Sequence, residues 1–590
     1  MKTKLSDYVM ARLAEEVRHV FFLPGGGCMH LVDSLRREER LTPVVCLHEQ
    51  AAAVAADAYS QYTGRLGAAL VTAGPGSTNA ITGVAASWID SVPVLFLSGQ
   101  AKSTELIADW HVRQMGIQEV DIVSLVRPIT KYAATVRDPA EIKLHLEEAL
   151  YCCRAGRPGP VWLDIPLDVQ GALIDVAGLG DREPDLSAKV GAAVADWVSS
   201  TVGLIAGARR PVVLAGNGIR SAGATGDFVK WADSAGIPIL TTWKAADLLP
   251  EDHPLYVGRP GSIGQRGANF ALQNADLLIA LGARMDLAQV GFDYPGFAPR
   301  ARKVVVDVDG SEIAKLGFPV DVAAVCDAGD FLKGLLRFAR PWHDAEGWLA
   351  RCVAWRHTYP LGADGTRGPD APVDTYVLID VLSERLQPDD VLVPGSSGSC
   401  AEITLQAFRV KAGQRVLNSP GLGSMGFGLP ASIGAAVASG RRVVTVVGDG
   451  GLQHNIQELE TLRRLGLPVK VFVLDNDGYA SIRASQRNHF DGFLAAGPAS
   501  GLTLPSIAAV AEAYGLRTFQ VDSGAGLEET VRLVLASPGP AVCVLRVDPD
   551  LATQPRLSAT VAPDGRITSR PLEDLWPFLD RDELAANMLP

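Results

Sequence analysis

Cysteine and aromatic residues are scarce in this chain. Eight cysteines are spread over 590 residues with no C-x-x-C pair, and Phe, Trp and Tyr together make up 6% of the sequence. A disulfide framework or a zinc ribbon requires cysteines that are denser and regularly spaced. We therefore expect reduced thiols in a cytoplasmic protein and no zinc site.

Long apolar runs and an excess of basic residues are also missing. No stretch approaches the ~20 uninterrupted apolar residues of a transmembrane helix, and the N-terminus, MKTKLSDYVMARLAEEV, lacks the apolar core and cleavage site of a secretory signal. Lys and Arg number 54 against 66 Asp and Glu, which gives a net charge of −12. Such a surface repels phosphate backbones and anionic lipids, so we expect neither nucleic acid nor membrane partners.

The sequence does contain a regular alternation of short apolar runs and helical patterns. Each run ends in small or turn-forming residues, which is typical of the strands of parallel α/β sheets. The pattern predicts three doubly wound parallel-sheet domains and a C-terminal tail, at residues 1–170, 195–335, 372–550 and 551–590. Residues 171–194 are predicted to be a connector, and 336–371 a less regular stretch.

The strongest local motif lies in the third predicted domain. The strand RVVTVV runs into Gly448-Asp449-Gly450-Gly451, and the next strand ends at Asn476, 27 residues after Asp449. Because the carboxyl ends of adjacent parallel strands converge, a carboxylate and an amide oxygen could bind one hard cation such as Mg²⁺. The glycines would let backbone N–H groups approach a diphosphate. The alternative is a pair of ordinary turns, because Gly-Asp-Gly is common.

A second motif lies in the first predicted domain. Glu49 follows a strand and opens the alanine-rich helix AAAVAADAYSQYTG, and a glycine-punctuated turn, GPGSTN, follows at 74–79. Glu49 could be a plain helix-start acid that the helix dipole favours, or it could serve catalysis. The many alanines predict a closely packed helix face, which would suit a subunit interface.

These blocks together resemble the thiamin diphosphate enzymes of the acetolactate synthase and pyruvate decarboxylase group. The resemblance covers nearly the whole chain, because PGGG, GPGSTN, GRPGPVWLDIP, GLGSMGFGLPASIGAA and the GDG…DN segment occur in the family's order. It implies that the Glu49 carboxyl group hydrogen-bonds N1′ of the aminopyrimidine and promotes loss of the thiazolium proton through the cofactor's own ring. It also places Pro75 and Asn79 at the cofactor.

The resemblance assigns the other half of the cofactor site to the third domain. It implies that Mg²⁺ is bound by the side chains of Asp449 and Asn476 and by the carbonyl of Gly478, and that Met425 props the cofactor into its bent shape. The further cofactor-binding residues that it implies are Gly395, Ser396, Ser397, Gly398, Gly448, Gly450, Gly451 and Tyr479. In this family the two halves of a site belong to different subunits, which implies a homodimer or homotetramer with active sites at the subunit interface.

The acetolactate synthase branch suggests the reaction. By resemblance, Gly26, Gly27 and Gln118 line the reactive side and act in catalysis with Glu49. The implied activity is decarboxylation of a 2-oxo acid, with pyruvate as the expected donor, and transfer of its two-carbon unit to a carbonyl acceptor such as a second 2-oxo acid. Ile117 and the segment DNDGYASIR at 475–483 depart from this branch.

These departures leave the acceptor open. They are closer to a branch that extends nucleotide-linked ketosugars, in which Arg483 would contact an anionic acceptor; otherwise Arg483 is a surface charge. A simple 2-oxo acid decarboxylase is a further alternative. A catalytically silent subunit is disfavoured because Glu49 and Asp449 are both present.

The second predicted domain carries a weaker nucleotide signature. Gly216-Asn217-Gly218, Gly282-Ala283-Arg284 and Asp307-Val308-Asp309 lie at predicted strand ends, as nucleotide-contacting residues do. The resemblance implies FAD in a structural role, and related enzymes bind ADP or nothing there. A flavin- or nicotinamide-dependent oxidoreductase remains an alternative, although no clean G-x-G-x-x-G motif follows an early strand.

Overall fold

The computed structural model describes residues 2–107, 110, 112–179, 191–338, 340–362, 368, 370–395, 397–561 and 567–590. Three six-stranded parallel sheets follow one another along this part of the chain, so the predicted fold class is confirmed. Within the same residues, no helix combines the length and apolar character needed to cross a membrane. The domain limits at 170, 195, 335, 372 and 550 remain predictions.

The first sheet lies between Lys2 and Asp175. Its strand order is β3-β2-β4-β5-β7-β6, and the antiparallel pair β1-β8 lies beside it. Helix α1 presents Leu5, Val9 and Leu13 to the core, the apolar face that their spacing predicts. The elements are β1 (Lys2–Lys4), α1 (Leu5–Leu13), β2 (His19–Phe22), α2 (Met29–Arg37), β3 (Thr42–Val45), α3 (Glu49–Thr63), β4 (Gly67–Val71), α4 (Pro75–Asn79), α5 (Ile81–Ile89), β5 (Val94–Gln100), α6 (Ile122–Val126), β6 (Tyr132–Thr135), α7 (Ile142–Arg154), β7 (Val161–Pro166), α8 (Leu167–Gly171) and β8 (Leu173–Asp175).

The second sheet has the order β11-β10-β9-β12-β13-β14. Its central strands are buried on both faces and consist almost wholly of Val, Leu, Ile and Ala, because helices cover both sides of a parallel sheet. The elements are α9 (Gly191–Gly207), β9 (Pro211–Ala215), α10 (Gly218–Ser221), α11 (Thr225–Ala235), β10 (Ile239–Thr241), β11 (Tyr256–Gly258), α12 (Arg266–Gln273), β12 (Leu277–Leu281), α13 (Leu287–Val290), β13 (Arg302–Asp307), α14 (Gly310–Ala314), β14 (Val322–Val325), α15 (Ala328–Leu336) and α16 (Trp348–Thr358).

The third sheet has the order β16-β15-β17-β18-β20-β19. A short ribbon and a final helix follow it in the tail. The elements are α17 (Thr375–Arg385), β15 (Val391–Pro394), α18 (Ser399–Ala407), β16 (Arg415–Val416), α19 (Gly428–Ser439), β17 (Val443–Gly448), α20 (Asp449–Leu452), α21 (Glu458–Leu465), β18 (Val469–Asp475), α22 (Ala480–His489), α23 (Ile507–Ala513), β19 (Arg517–Val521), α24 (Leu527–Ala536), β20 (Ala541–Arg546), β21 (Ala559–Val561), β22 (Ile567–Ser569) and α25 (Arg581–Asn587).

The two stretches that were predicted to be irregular contain regular elements. Helix α8 ends at Gly171 within the predicted connector, β8 follows, and α9 begins at Gly191; residues 180–190 lie outside the described part. Helix α16 occupies the middle of 336–371, because Trp348, Cys352 and Trp355 lie on one face at helical spacing and are buried against the second domain. The tail packs on the same domain, where Arg266 and Asn269 donate to its backbone carbonyls.

The alanine-rich helix α3 is not free to form a subunit interface. Its residues from Ala51 to Ser60 are buried within the chain, and it packs against α19 of the third domain. A β-carbon on Gly434 of α19 would lie 2.1 Å from the Ala55 carbonyl oxygen, so the two helices are in backbone contact. The close packing that the alanines predict is therefore used to join two domains of one chain.

Candidate active site

A cavity of about 490 Å³ opens beyond the carboxyl ends of β15, β17 and β18. Ligands of doubly wound sheets bind at this position. All its lining residues lie between Gly395 and Ile482. They include these residues from the predicted cofactor set: Gly395, Ser397, Gly398, Met425, Gly448, Asp449, Gly450, Gly451, Asn476, Gly478 and Tyr479. Ser396, which was also predicted, lies outside the described residues.

Asp449 is the buried carboxylate of this cavity, with 2% of its surface exposed. Its Oδ1 accepts a hydrogen bond from the backbone N–H of Gly450 at 2.8 Å. Its Oδ2 accepts from the backbone N–H groups of Gly478 at 3.0 Å and Asn476 at 3.2 Å. Burial raises the pKa of this carboxyl group to about 7 despite these donors. A nearby cation would favour its charged form.

The donor set around Asp449 fits a hard cation. One atom of the Asn476 side-chain amide group lies 3.3 Å from Asp449 Oδ1 and 2.8 Å from the Gly478 carbonyl oxygen. Both of these neighbours are hydrogen-bond acceptors. If the amide oxygen faces inward, three oxygens converge, and a cation between them would stabilise the arrangement. Carboxylate, amide and carbonyl oxygens are ligands that Mg²⁺ accepts. Elsewhere in the described residues, no cluster of three or more His, Cys, Asp or Glu forms a metal site.

Small residues shape the wall of this cavity. A β-carbon on Gly450 would lie 2.5 Å from the Tyr479 ring, and one on Gly398, whose φ is +66°, would lie 2.6 Å from Ser481 Oγ. Met425 projects at the cavity with 37% of its surface exposed. Glycine is therefore required where the backbone approaches the ring and the hydroxyl group, which leaves open volume for a ligand.

Glu49 lies in the first domain at the start of α3. Strand β3 ends at Val45, His48 caps the helix by accepting from the Gln50 backbone N–H, and Glu49 follows as the first helical residue. The side chain is 7% exposed, and its Oε2 accepts a hydrogen bond from Asn79 Nδ2 at 3.0 Å. The fold thus brings Glu49 and Asn79, two of the predicted residues, into direct contact.

Two glycine segments form the surroundings of Glu49. The backbone N–H of Gly27 donates to Thr72 Oγ1 at 3.1 Å. A β-carbon on Gly76 would lie 2.6 Å from Thr72 and 3.4 Å from Glu49 Oε1. Gly26 has open space above it, and Pro75 begins the short helix α4 beside these residues. Thr72, which sequence reasoning missed, therefore lies between the predicted glycine loop and the turn beside Glu49.

Gln118 lies on the same side of the first domain. Its carbonyl oxygen contacts Gly74, and its φ of +58° is unusual for a residue that is not glycine. The neighbouring Glu119 is buried and accepts from the backbone N–H groups of Met115 and Gly116, both at 3.1 Å, and of Ile107. Glu119 therefore holds the loop that carries Gln118, a role that no sequence signal indicated.

None of the predicted first-domain residues lines the cavity beside Asp449. The cavity beside Asp449 is lined by residues of the third domain, whereas Glu49, Gln118, Gly26 and Gly27 lie on the first. Each set by itself is half of the predicted site. Sequence reasoning also missed the other lining residues of the cavity, among them Cys400, Phe427 and Ile482, because each of these three is an ordinary core or surface type.

A second cavity, of about 410 Å³, lies at the strand ends of the second sheet. It brings together predicted nucleotide contacts from three segments: Asn217, Gly218, Gly282, Ala283, Arg284, Asp307 and Val308. Residues of the first domain complete its wall, including Asp90 and Arg157. Asp90 Oδ2 is buried without a hydrogen-bond partner among the described residues and lies 3.6 Å from Lys244 Nζ. This oxygen is in an ion pair but accepts no hydrogen bond, so it could accept one from a ligand with donor groups.

Comparison with known proteins identifies the family. Residues 3–125 match the model of the thiamine pyrophosphate enzyme N-terminal TPP binding domain, 198–335 that of the central domain, and 396–545 that of the C-terminal TPP binding domain. The chain is an acetolactate synthase-like thiamine pyrophosphate enzyme. Thiamine pyrophosphate and thiamin diphosphate are the same cofactor.

The alignments with its relatives span most of this chain and most of each relative. It is 33% identical to a probable acetolactate synthase large subunit of Methanocaldococcus jannaschii, over 95% of this chain and 94% of the relative. It is 32% identical to the isozyme 1 large subunit of Escherichia coli K12 (93% and 95%) and 35% identical to the large subunit of Corynebacterium glutamicum (80% and 75%). These matches do not favour the ketosugar, oxidoreductase and simple decarboxylase alternatives.

Proposed function

We propose that this chain decarboxylates pyruvate and joins the remaining two-carbon unit to a second 2-oxo acid, as an acetolactate synthase does. The observation that carries the proposal is the presence of two separate half-sites: a glutamate that accepts a hydrogen bond from Asn79 on the first domain, and an oxygen cluster around Asp449 on the third. Full-length similarity to acetolactate synthase large subunits supports the choice of donor and acceptor.

The third domain holds the charged end of the cofactor in this proposal. Asp449, Asn476 and the Gly478 carbonyl would bind Mg²⁺, and the glycines of the cavity wall would admit a diphosphate to the backbone. The buried setting of Asp449 strengthens its attraction to a cation, because the surrounding protein screens charge less than water does. When bound, thiamin diphosphate supplies an electron sink for the negative charge that departing CO₂ leaves.

The first domain supplies the proton chemistry and the walls of the reactive side. Asn79 occupies Oε2 of Glu49, so we assign Oε1 as the oxygen that holds a proton at N1′ of the aminopyrimidine. Gly26 has open space around it and Gly27 is hydrogen-bonded to Thr72, and we assign both glycines and Gln118 to the reactive side of this carboxyl group. Burial of Glu49 limits the access of water to the proton.

We propose that two copies of the chain complete each other's sites. The first half-site is bordered by the exposed apolar side chains of Met115 and Ile117, the latter 89% exposed. Beside the other half-site, Ile482, Phe490 and Leu494 are exposed. Apolar side chains exposed at both halves favour burial against a partner, and a homodimer is the smallest assembly that joins them.

We also propose FAD as the ligand of the second cavity. The cations Arg157, Arg284 and Lys244 on its wall suit a diphosphate, and Asp307 suits a ribose hydroxyl group. The strand-end glycines let two loops of this wall approach each other: a β-carbon on Gly216 would lie 2.1 Å from the Gly282 carbonyl oxygen. The visible absorbance of the purified protein tests this directly; release of ADP, or of no nucleotide, on denaturation would contradict it.

The reaction is tested by product analysis. The purified chain is incubated with pyruvate, thiamin diphosphate and Mg²⁺, and the products are identified by mass spectrometry. We expect CO₂ and acetolactate, with neither formed when the cofactor is omitted. A panel of other carbonyl acceptors serves as the comparison. A product extended only on a ketosugar, or failure of the chain to bind thiamin diphosphate in a calorimetric titration, would contradict the proposal.

A further inference from the structure

The guanidinium group of Arg483 is directed at the backbone of the metal-binding loop. Its Nη1 donates to the carbonyl oxygens of Asn476 at 3.2 Å and Pro549 at 3.5 Å. Its Nη2 donates to the carbonyl oxygens of Asp477 and Ala496, both at 3.1 Å. One half-buried side chain on helix α22 therefore ties the end of β18 to two other segments.

The loop that Arg483 holds has a backbone shape that needs support. Asp477 has φ of +59° and Gly478 has φ of +124°. Left-handed backbone is uncommon for residues other than glycine, although Asp tolerates it better than most, and neighbouring contacts help to hold Asp477 in it. In this loop the Asn476 side-chain amide lies 3.3 Å from Asp449 Oδ1 and 2.8 Å from the Gly478 carbonyl oxygen. The bonds from Arg483 to the carbonyls of Asn476 and Asp477 are contacts of that kind.

Gly497 provides the space for the guanidinium group. A β-carbon there would lie 2.6 Å from Arg483 Nη2 and 3.0 Å from the Asp477 carbonyl oxygen. The adjacent Ala496 carbonyl also accepts a hydrogen bond from the Tyr479 backbone N–H at 3.1 Å. The segment around Gly497 thus packs against the Arg483 guanidinium group. The absence of a side chain at Gly497 lets this segment approach both the arginine and the Asp477 carbonyl.

This geometry is at odds with the expectation that Arg483 contacts an anionic acceptor. Both terminal nitrogens are already engaged with backbone carbonyls, so an acceptor would have to compete with these bonds. Arg487, one turn further along the same helix, is the arginine that faces outward, where it pairs with Asp550. It offers a matched control, since it has the same charge and the same helix but does not touch the loop.

We propose that Arg483 is a positioning residue that pre-orders the metal-binding loop of Asn476, Asp477 and Gly478. The inference rests on the proposed function insofar as the loop's ligand is Mg²⁺ with thiamin diphosphate. Its substance is a property of the cofactor-free chain: the arginine holds the ligand oxygens in place before binding. Loss of groups that orient ligands lowers metal affinity by about 10- to 100-fold, so the effect should appear in binding and not in turnover.

The binding arm titrates Mg²⁺ and thiamin diphosphate into the cofactor-free wild type and into Arg483→Gln, Gly497→Ala and Arg487→Gln. We expect affinity to fall about 10-fold or more in the first two variants and to be unchanged in Arg487→Gln, with near-wild-type kcat at saturating cofactor. Gly497→Ala keeps the charge and displaces the guanidinium group. Unchanged affinity in Arg483→Gln, or a loss of kcat with unchanged affinity, would overturn the inference.

A second arm separates this inference from the proposed function. Hydrogen exchange of the amides at 476–478 is measured in the cofactor-free proteins. Faster exchange in Arg483→Gln than in the wild type and Arg487→Gln is expected, and equal exchange would overturn the pre-ordering role. A wild-type chain that bound no thiamin diphosphate would instead overturn the proposed function, while the exchange result would still decide the role of Arg483.

Discussion

Gly74 and Gln118 are in direct backbone contact: a β-carbon on Gly74 would lie 2.4 Å from the Gln118 carbonyl oxygen. Gly74 has φ of +60° and Gln118 has φ of +58°, so both residues adopt left-handed backbone. The contact joins the turn that leads to Asn79 with the loop that presents Gln118. The turn at residues 74–79 therefore contacts Glu49 through Asn79 and the Gln118 loop through Gly74, so it positions both.

Gly74→Ala should displace the Gln118 loop. A methyl group at this position collides with backbone, which cannot rotate away, so we expect kcat/KM for acetolactate formation to fall about 10-fold or more. The affinity for thiamin diphosphate should change little. Gly64→Ala is the control, since Gly64 has φ of +66° but open space around it. Equal activity of the two variants would show that the contact does not position Gln118.

Gly434→Ala should destabilise the junction between the first and third domains. The added methyl group would lie 2.1 Å from the Ala55 carbonyl oxygen in a fully buried helix contact, and overpacking of this kind costs about 3 kcal/mol. Gly203→Ala, in helix α9 with open space around it, should instead raise the free energy of unfolding by up to about 1 kcal/mol. Denaturant unfolding of both variants checks the opposite signs; similar unfolding midpoints would refute the packing argument.

Asp164 should make stability depend on pH. Burial raises the pKa of this carboxyl group to about 7, although Ser98 and Gln100 donate to it. Between pH 4 and 7 the folded chain keeps this proton and the unfolded chain loses it, so the contribution of Asp164 falls as pH rises, by up to roughly 4 kcal/mol. Asp164→Asn removes the titration.

Melting temperatures of the wild type and Asp164→Asn, taken across that pH range, measure the effect. Because other groups titrate equally in both proteins, only the difference between the two curves reports on Asp164. We expect the wild type to lose stability relative to the variant as pH rises. Parallel curves would mean that the carboxyl group is already ionised in the fold.

Two inactive variants should complement each other if the site lies between subunits. Glu49→Gln disables the first half-site and Asp449→Ala the second, so each homodimer lacks activity. In a mixed dimer one site carries both changes and the other carries neither. Random pairing after co-expression should thus restore about a quarter of wild-type activity, counting one intact site in half of the dimers. No recovery, with mixed dimers verified by mass, would place both half-sites of one active centre on the same chain.

The sequence predicted the sheets and the glycine motifs because both depend on local patterns. Apolar runs that end in Gly, Asp or Asn form parallel strands, and the motif GDG with Asn476 lies where strand ends converge. The position of α3 could not be predicted in this way. A small-residue helix face fits any close neighbour, and only the tertiary structure shows that α19 of the same chain covers it.

The supporting residues were also beyond sequence reasoning. Thr72 and Glu119 are common residue types, and their roles come from backbone groups that the fold brings to them. Arg483 was considered as a contact for an acceptor because its charge was all that the sequence showed. The direction of its guanidinium group toward the carbonyls of Asn476 and Asp477 depends on the path of the following loop.

Glu49→Gln gives the most direct test of the central claim, which is that this carboxyl group handles the proton of the bound cofactor. The amide keeps the size of the side chain but cannot exchange that proton, so we expect CO₂ release from pyruvate to fall by about 100-fold or more. The rate of CO₂ release is measured at saturating thiamin diphosphate and Mg²⁺. The melting temperature of the variant is measured as well, and an unchanged value shows that the variant is folded. Wild-type rates in this variant would contradict the account.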